Sequence, residues 1–139
     1  MPRFNSYFCA DMSQRFPRHE KLKSATLINR LFEEGSHLTV FPLRLQYLET
    51  PLPSEVLVQA GVTVSKRKFK NAVHRNRIKR LMRESYRKHK SLIFNNSEQT
   101  FAFLFIYLGK EIPSQVDMDR SMRLLIDKFL AKRDEKDND

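Results

Sequence analysis

Between Lys66 and Lys90 the chain carries 12 lysines and arginines against a single acid, Glu84. The chemistry such residues perform is phosphate recognition. An arginine presents a planar fork of donors matched to phosphate oxygens, and a lysine supplies a compact positive charge. If the segment is a helix, Arg75, Lys79, Arg83 and Arg87 step by four and share one row. Asn76, Arg80 and Glu84 form the adjacent row, and Arg77 extends the basic surface toward the N-terminal end. Like charges at this spacing cost an isolated helix a few tenths of a kcal/mol per pair, so helices that need only solubility mix their signs. This one does not, which points to a polyanion footprint. Asn76, between two arginines, adds a donor and an acceptor that a pure charge patch does not require. In the loop ahead, Lys66, Arg67, Lys68 and Lys70 surround Phe69, which reads as core rather than as a stacking platform.

Other chemistries find little support. His19, His37, His74 and His89 are scattered, with no pair at i,i+4 carrying a glutamate, and Cys9 is the single cysteine. Glu33 and Glu34 read as surface acids, while Asp117 and Asp119 sit in a first helical turn, where the helix dipole favours acids. Three glycines, Gly35, Gly61 and Gly109, are too dispersed for a phosphate-cradling loop. No catalytic residue and no protein-borne metal site is expected.

The net charge is +10, yet outside the segment from Lys66 to Lys90 the chain holds 14 basic and 15 acidic residues. The entire excess is therefore local. A lone cysteine excludes an intrachain disulfide, no apolar run reaches the length of a membrane span, and no signal pattern opens the chain. The expectation is a cytoplasmic protein with neither membrane nor DNA as partner.

The elements that must position the basic row follow from periodicity. Residues 1–15 read as a flexible extension, 16–132 as one domain that binds a polyanion and 133–139 as a frayed polar tail. Ser24 is a helix N-cap, Leu27, Ile28 and Leu31 recur at helical spacing, and Gly35 stands where a left-handed residue would end the helix. Leu38–Leu48 alternates as a half-buried strand, with Leu43, Leu45 and Tyr47 on one face, and Val56–Ser65 is strand-like, with Gly61 marking a bulge or a close backbone approach. The long helix spans Asn71 to about Lys90, with Ile78, Leu81, Met82, Ser85 and His89 facing the core. Phe101–Leu108 reads as a central strand. Val116–Lys132 is a helix burying Met118, Met122, Leu125, Ile126 and Phe129. The order, helix, two or three strands, helix, strand and helix, gives an α+β, two-layer sandwich, and the fold expected is a mixed four-stranded sheet with three helices.

The stretch Ala72–Glu84 resembles the Arg-Asn-Arg signature of the bacterial ribonuclease P protein subunit. Gly61–Lys66 resembles the strand before that signature, and Phe16–Lys23 with Arg30–Gly35 resembles the family's opening helix. The resemblance implies a left-handed strand–helix–strand crossover. It implies an RNA subunit that hydrolyses phosphodiesters with magnesium, and precursor tRNA as substrate. Carried over by position, Lys66, Arg75, Asn76, Arg77, Lys79, Arg80 and Arg83 would contact the ribonuclease P RNA. Ile28, Phe32, Arg44 and Gln46 would line a cleft for the single-stranded 5′ leader. Ile28 and Gln46 depart from the aromatics usual there, leaving Phe32 as the cleft's main aromatic. A ribosomal or rRNA-binding protein would share the charge pattern but not the motif. A DNA reader would place its basic helix in a short helix–turn–helix rather than between two strands.

Overall fold

In the computed structural model of the chain, residues 20–52, 57–96 and 99–138 are described; the expected extension over 1–15 and the residues leading to His19 lie outside them. The order is α1 (Ala25–Glu34), β1 (Ser36–Val40), β2 (Leu43–Glu49), β3 (Val58–Val64), α2 (Ala72–Asn96), β4 (Phe101–Tyr107) and α3 (Gln115–Asn138). The four strands lie in the order β1-β2-β4-β3. β1 with β2 and β2 with β4 are antiparallel, whereas β3 and β4 are parallel and joined through α2. The mixed sheet with three helices is as the sequence implied.

Alternation along each strand divides the sheet into two unlike faces. One face sets Leu38, Leu43, Leu45, Val58, Ala60, Val64, Phe101, Phe103, Phe105 and Tyr107 against α2 and α3 in a single buried core. Phe129 of α3 is the hub of its aromatic part, with ring centroids 5.0 Å from Phe103, 5.1 Å from Tyr47 and 5.2 Å from Phe101, each edge to face. The other face is partly covered by α1, where Leu31, Ala102, Leu104 and Leu22 form a smaller cluster.

The expected strand Leu38–Leu48 is in fact a hairpin turned at Phe41 and Pro42, whose peptide bond is cis. The parity of the apolar residues carries the reason. Leu38 and Val40 are even and Leu43 and Leu45 odd, yet all lie on one face, because Leu38 pairs Leu45 and Val40 pairs Leu43. Ser24 caps α1 as expected, its hydroxyl accepting from the Leu27 amide at 3.2 Å. Gly35 corrects the expectation of a left-handed residue. Its backbone is extended (φ −80°, ψ 168°), and glycine is needed because a Cβ there would press on the carbonyls of Leu31 and Tyr47, the latter 2.6 Å away. Gly61 is a close approach: an added Cβ would lie 3.3 Å from that of Leu22. α3 runs on to Asn138, past Lys132, where the sequence marked the start of a polar tail.

The buried stripe of α2 is wider than its apolar pattern. Ile78, Met82 and Ser85 are buried, Leu81 and His89 only half so, and Tyr86, Lys90 and Ile93 join them. Lys90 is completely enclosed, its ammonium 2.9 Å from the carboxylate of Glu20, which is itself 3 % exposed. The pair ties α2 to the segment ahead of α1. That segment lies parallel to β3, with Lys21 bridged to Ala60 and the Leu22 amide donating to the Ala60 carbonyl at 2.9 Å.

Removing one partner of a buried ion pair strands the other charge and costs about 3–5 kcal/mol, whereas replacing both with apolar groups is close to neutral. Lys90→Ala should therefore lose about that much stability in urea denaturation, and Glu20→Leu combined with Lys90→Met should recover most of it. An equal loss in the single and the paired variants would show that shape, not charge, matters at this point.

Candidate RNA-binding surface

α2 opens on Asn71, whose side-chain oxygen accepts from the Val73 amide at 2.8 Å. The loop ahead is fastened at several points. Phe69 is buried, its ring centroid 6.1 Å from that of Tyr107, and its amide donates to the Ser65 carbonyl at 3.1 Å. Lys68 donates to the Leu108 carbonyl at 2.7 Å. Arg75 donates through one guanidinium nitrogen to the carbonyls of Phe69 at 2.7 Å and Lys70 at 3.0 Å. Arg75 thus closes the loop onto the helix.

The remaining residues of the row look outward. Lys66, Asn76, Arg77, Arg80 and Arg83 are exposed, and Lys79 is half-buried beside the core. A hollow of about 460 Å³ follows this face, walled by Asn76, Arg80, Arg83, Glu84 and Arg87 of α2 and by Lys21 across the gap. Glu84, the single acid of the row, is bonded to Arg87, and chiefly that bond holds its carboxyl below the usual range, against the opposing effect of burial.

A second hollow, of about 420 Å³, lies between α1 and the sheet. Ile28 and Phe32 enter it from one wall, one helical turn apart, and Val62, Thr63 and Leu104 from the other. Phe32 is 56 % exposed, which is unusual for a ring that could have joined the neighbouring cluster. Of the four residues proposed by position for this cleft, the structure brings together Ile28 and Phe32. Gln46 is buried and its amide donates to the Leu31 carbonyl at 2.8 Å, so it fastens the end of α1 to β2. Arg44 lies farther along the same face of β2, opposite Thr39 and Ile106, and is not a lining residue. It is half-buried, and its Nε is enclosed with no hydrogen-bond partner among the described residues.

Lys21, Lys23 and Arg87 border these hollows and were missing from the positional reading. The available signal was the Lys-Leu-Lys pattern at residues 21–23, whose alternation leaves both lysines outward when Leu22 turns in. Among the described residues no group of three or more His, Cys, Asp or Glu side chains converges to hold a metal ion, and no helix is long and apolar enough to cross a membrane.

Fold and surface define an α/β sandwich with one cationic helix and an apolar cleft beside it. Residues 16–129 match the Ribonuclease P family. The chain is 37% identical over 112 residues to the ribonuclease P protein component of Porphyromonas gingivalis, covering 76% of this chain and 80% of that one. It is 30% identical over 129 residues to that of Chlorobaculum tepidum, covering 84% of each. The RNase P protein of Staphylococcus aureus superposes with a TM-score of 0.63 at 21% identity, over 78% of this chain and 93% of that one. The chain belongs to the ribonuclease P protein family. Its place is therefore that of the protein component in an endoribonuclease of tRNA processing, alongside an RNA partner.

The contacts separate two kinds of arginine in the signature. Arg80→Ala should weaken binding of the RNA partner and flatten the plot of log affinity against log salt by ~0.7–0.9 per lost phosphate, with melting temperature unchanged. Arg75→Ala should lower the melting temperature as well, because two loop carbonyls lose their donor. Equal melting temperatures for both variants would show that the loop does not need Arg75.

Proposed function

We propose that this protein component holds two RNAs at once: the ribonuclease P RNA along the outer face of α2, and the 5′ leader of precursor tRNA in the cleft beside α1. Lys66, Asn76, Arg77, Lys79, Arg80 and Arg83 meet the RNA subunit, joined by whatever donors of Arg75 the loop leaves over. Phe32, with Ile28 beneath it, meets an unpaired leader base. Arg44, half-buried on β2, meets the leader where the strand extends along β2, and Gln46 acts indirectly, by fixing α1. The observation that carries this reading is Phe32, an aromatic ring held half open in an apolar cleft beside a helix of arginines. Stacking tolerates any base, which suits a partner whose leader sequence varies.

Hydrolysis belongs to the RNA subunit and its magnesium. The described residues do not fit a protein-held magnesium site, since no suitable cluster of ligands exists among them, so no step is routed through a metal on this chain. The protein works where ribonuclease P RNA and precursor tRNA meet, in the cytoplasm. Family membership favours this over a ribosomal role, which would need no cleft.

Two outcomes are expected. The protein alone should leave precursor tRNA intact, and adding the cognate RNA with magnesium should release the leader as one fragment; magnesium-dependent cleavage by RNA-free protein would overturn the assignment of catalysis. Phe32→Ala should weaken precursor binding by the holoenzyme by ~1–3 kcal/mol, leaving melting temperature, mature-tRNA binding and RNA-subunit affinity nearly unchanged. A core role for the ring would instead lower stability and every activity together.

A further inference from the structure

The topology gathers three chain segments at one end of the sheet. β3 and β4 are parallel and β2 runs against β4, so Leu43, Tyr107 and Val64 stand side by side in the last row. Beyond that row come the β1–β2 turn at Phe41 and Pro42, the loop from β3 into α2, and the loop after β4. Leu108 joins them: its amide donates to the Pro42 carbonyl at 2.7 Å, and its carbonyl accepts from the Lys68 ammonium at 2.7 Å. The Tyr107 hydroxyl fastens the loop after β4 by donating to the Glu111 carbonyl at 2.6 Å. On this anchored end Phe41 is 71% exposed, the most open of the large apolar side chains among the described residues. A single exposed ring is ordinary on a protein surface. This one is set among cations: Lys66, Arg67, Lys68, Lys70 and Lys110 are all exposed, and Glu111 is the one acid in the two loops.

We propose that Phe41 is a stacking platform for an unpaired base of the RNA subunit, with the surrounding cations holding the phosphates on either side of that base. This inference rests on the reading that the RNA subunit meets α2, and extends its footprint from the start of that helix to the hairpin tip. Charge complementarity selects the occupant. A second copy of the chain would bring two cationic ends together, whereas RNA supplies a phosphate backbone for the lysines and a π face for the ring. The turn is anchored through the Pro42 carbonyl and not through the Phe41 ring, which leaves the ring to a partner. The site stands apart from the cleft beside α1, since neither Phe41 nor any of these cations lines it. It therefore acts on the RNA subunit and does not distinguish precursor from mature tRNA.

The test measures affinity of the full-length protein for the RNA subunit across a salt series. Phe41→Ala should weaken binding roughly 5- to 150-fold, with the slope of log affinity against log salt and the melting temperature both unchanged. Phe41→Tyr should retain the affinity and Phe41→Leu should lose it, which separates stacking from apolar cover. Lys110→Ala should instead flatten the slope by ~0.7–0.9. In the assembled holoenzyme, photoreactive p-azidophenylalanine in place of Phe41 should crosslink to a single-stranded segment of the RNA subunit. A crosslink to precursor tRNA or to a second copy of the protein would overturn the proposal, as would native affinity in Phe41→Leu or a lowered melting temperature in Phe41→Ala. An unchanged slope in Lys110→Ala would overturn the role given to the cations. Native affinity in Phe41→Ala beside weakened binding in Arg80→Ala would remove the platform and leave the α2 reading intact. Native affinity in both would remove both.

Discussion

The enclosed pair between Glu20 and Lys90 governs where everything else can sit. The two residues are 70 apart in sequence and 2.9 Å apart in space. Taking both charges out of water is costly, and the fold tolerates them only together, at good geometry. Tyr86 lies in the same enclosure, where burial first and the nearby Glu20 carboxylate second push its hydroxyl well above the ordinary phenol range. The pair therefore adds little net stability but imposes one arrangement: the chain must enter beside β3, at the level of the second turn from the end of α2 at Asn96. From that entry Lys21 faces the groove, Leu22 turns inward, and α1 starts at the right place to roof half of a sheet face.

The α2 helix does two incompatible jobs, on opposite faces. Its first half repels itself, because Arg75, Lys79, Arg80 and Arg83 crowd neighbouring rows. Each like-charged pair costs only tenths of a kcal/mol, whereas each buried apolar side chain such as Ile78, Met82 or Ile93 contributes about 1.5–3 kcal/mol. Packing decides the outcome, and the basic face need not stabilise the helix at all. A polar seam adds registration against α3. Ser85, Gln115 and Lys88 converge on Asp119, with Gln115 at 2.9 Å and Lys88 at 3.2 Å. Burial raises the Asp119 carboxyl, but the donations from Ser85, Gln115 and Lys88 outweigh it and keep the group below its ordinary range, charged at neutral pH.

What could be read from the sequence was whatever depends on short spacing. The Ser24 cap, the apolar side of α3 and the arginine rows each follow from neighbours within four residues, and each is found in the fold. The hairpin at Phe41 and Pro42 escaped because a change of parity looks like noise until pairing shows both halves on one face. Gly35 was placed correctly for the wrong reason: a close approach of two carbonyls leaves the same mark as a left-handed cap. Lys90 could not be read at all, since a lysine at the end of a basic run looks solvated until Glu20 is seen against it. Within the signature itself, Arg75 and Arg80 are indistinguishable by type. Only the loop's path gives one of them carbonyls to hold.

The cleft exists because α1 is short. Ten residues on one helix cannot cover a face four strands wide, and α1 packs over β2 and β4 while the outer part of β3 stays open. On the opposite face two helices of 24 and 25 residues complete the core, so the fold does not need α1 to be longer. Extending α1 would require its end to pass Gly35, where the carbonyls of Leu31 and Tyr47 leave no room for a side chain. The turn into β1 therefore fixes the length of the roof, and the length of the roof leaves Phe32 at the rim of an open apolar surface. That surface lies next to α2 because β3 and β4 are parallel, which sends the connecting helix back across the sheet beside the same edge strand. An unroofed strand and a cationic helix are thus brought side by side by topology, before any individual residue is chosen to bind RNA.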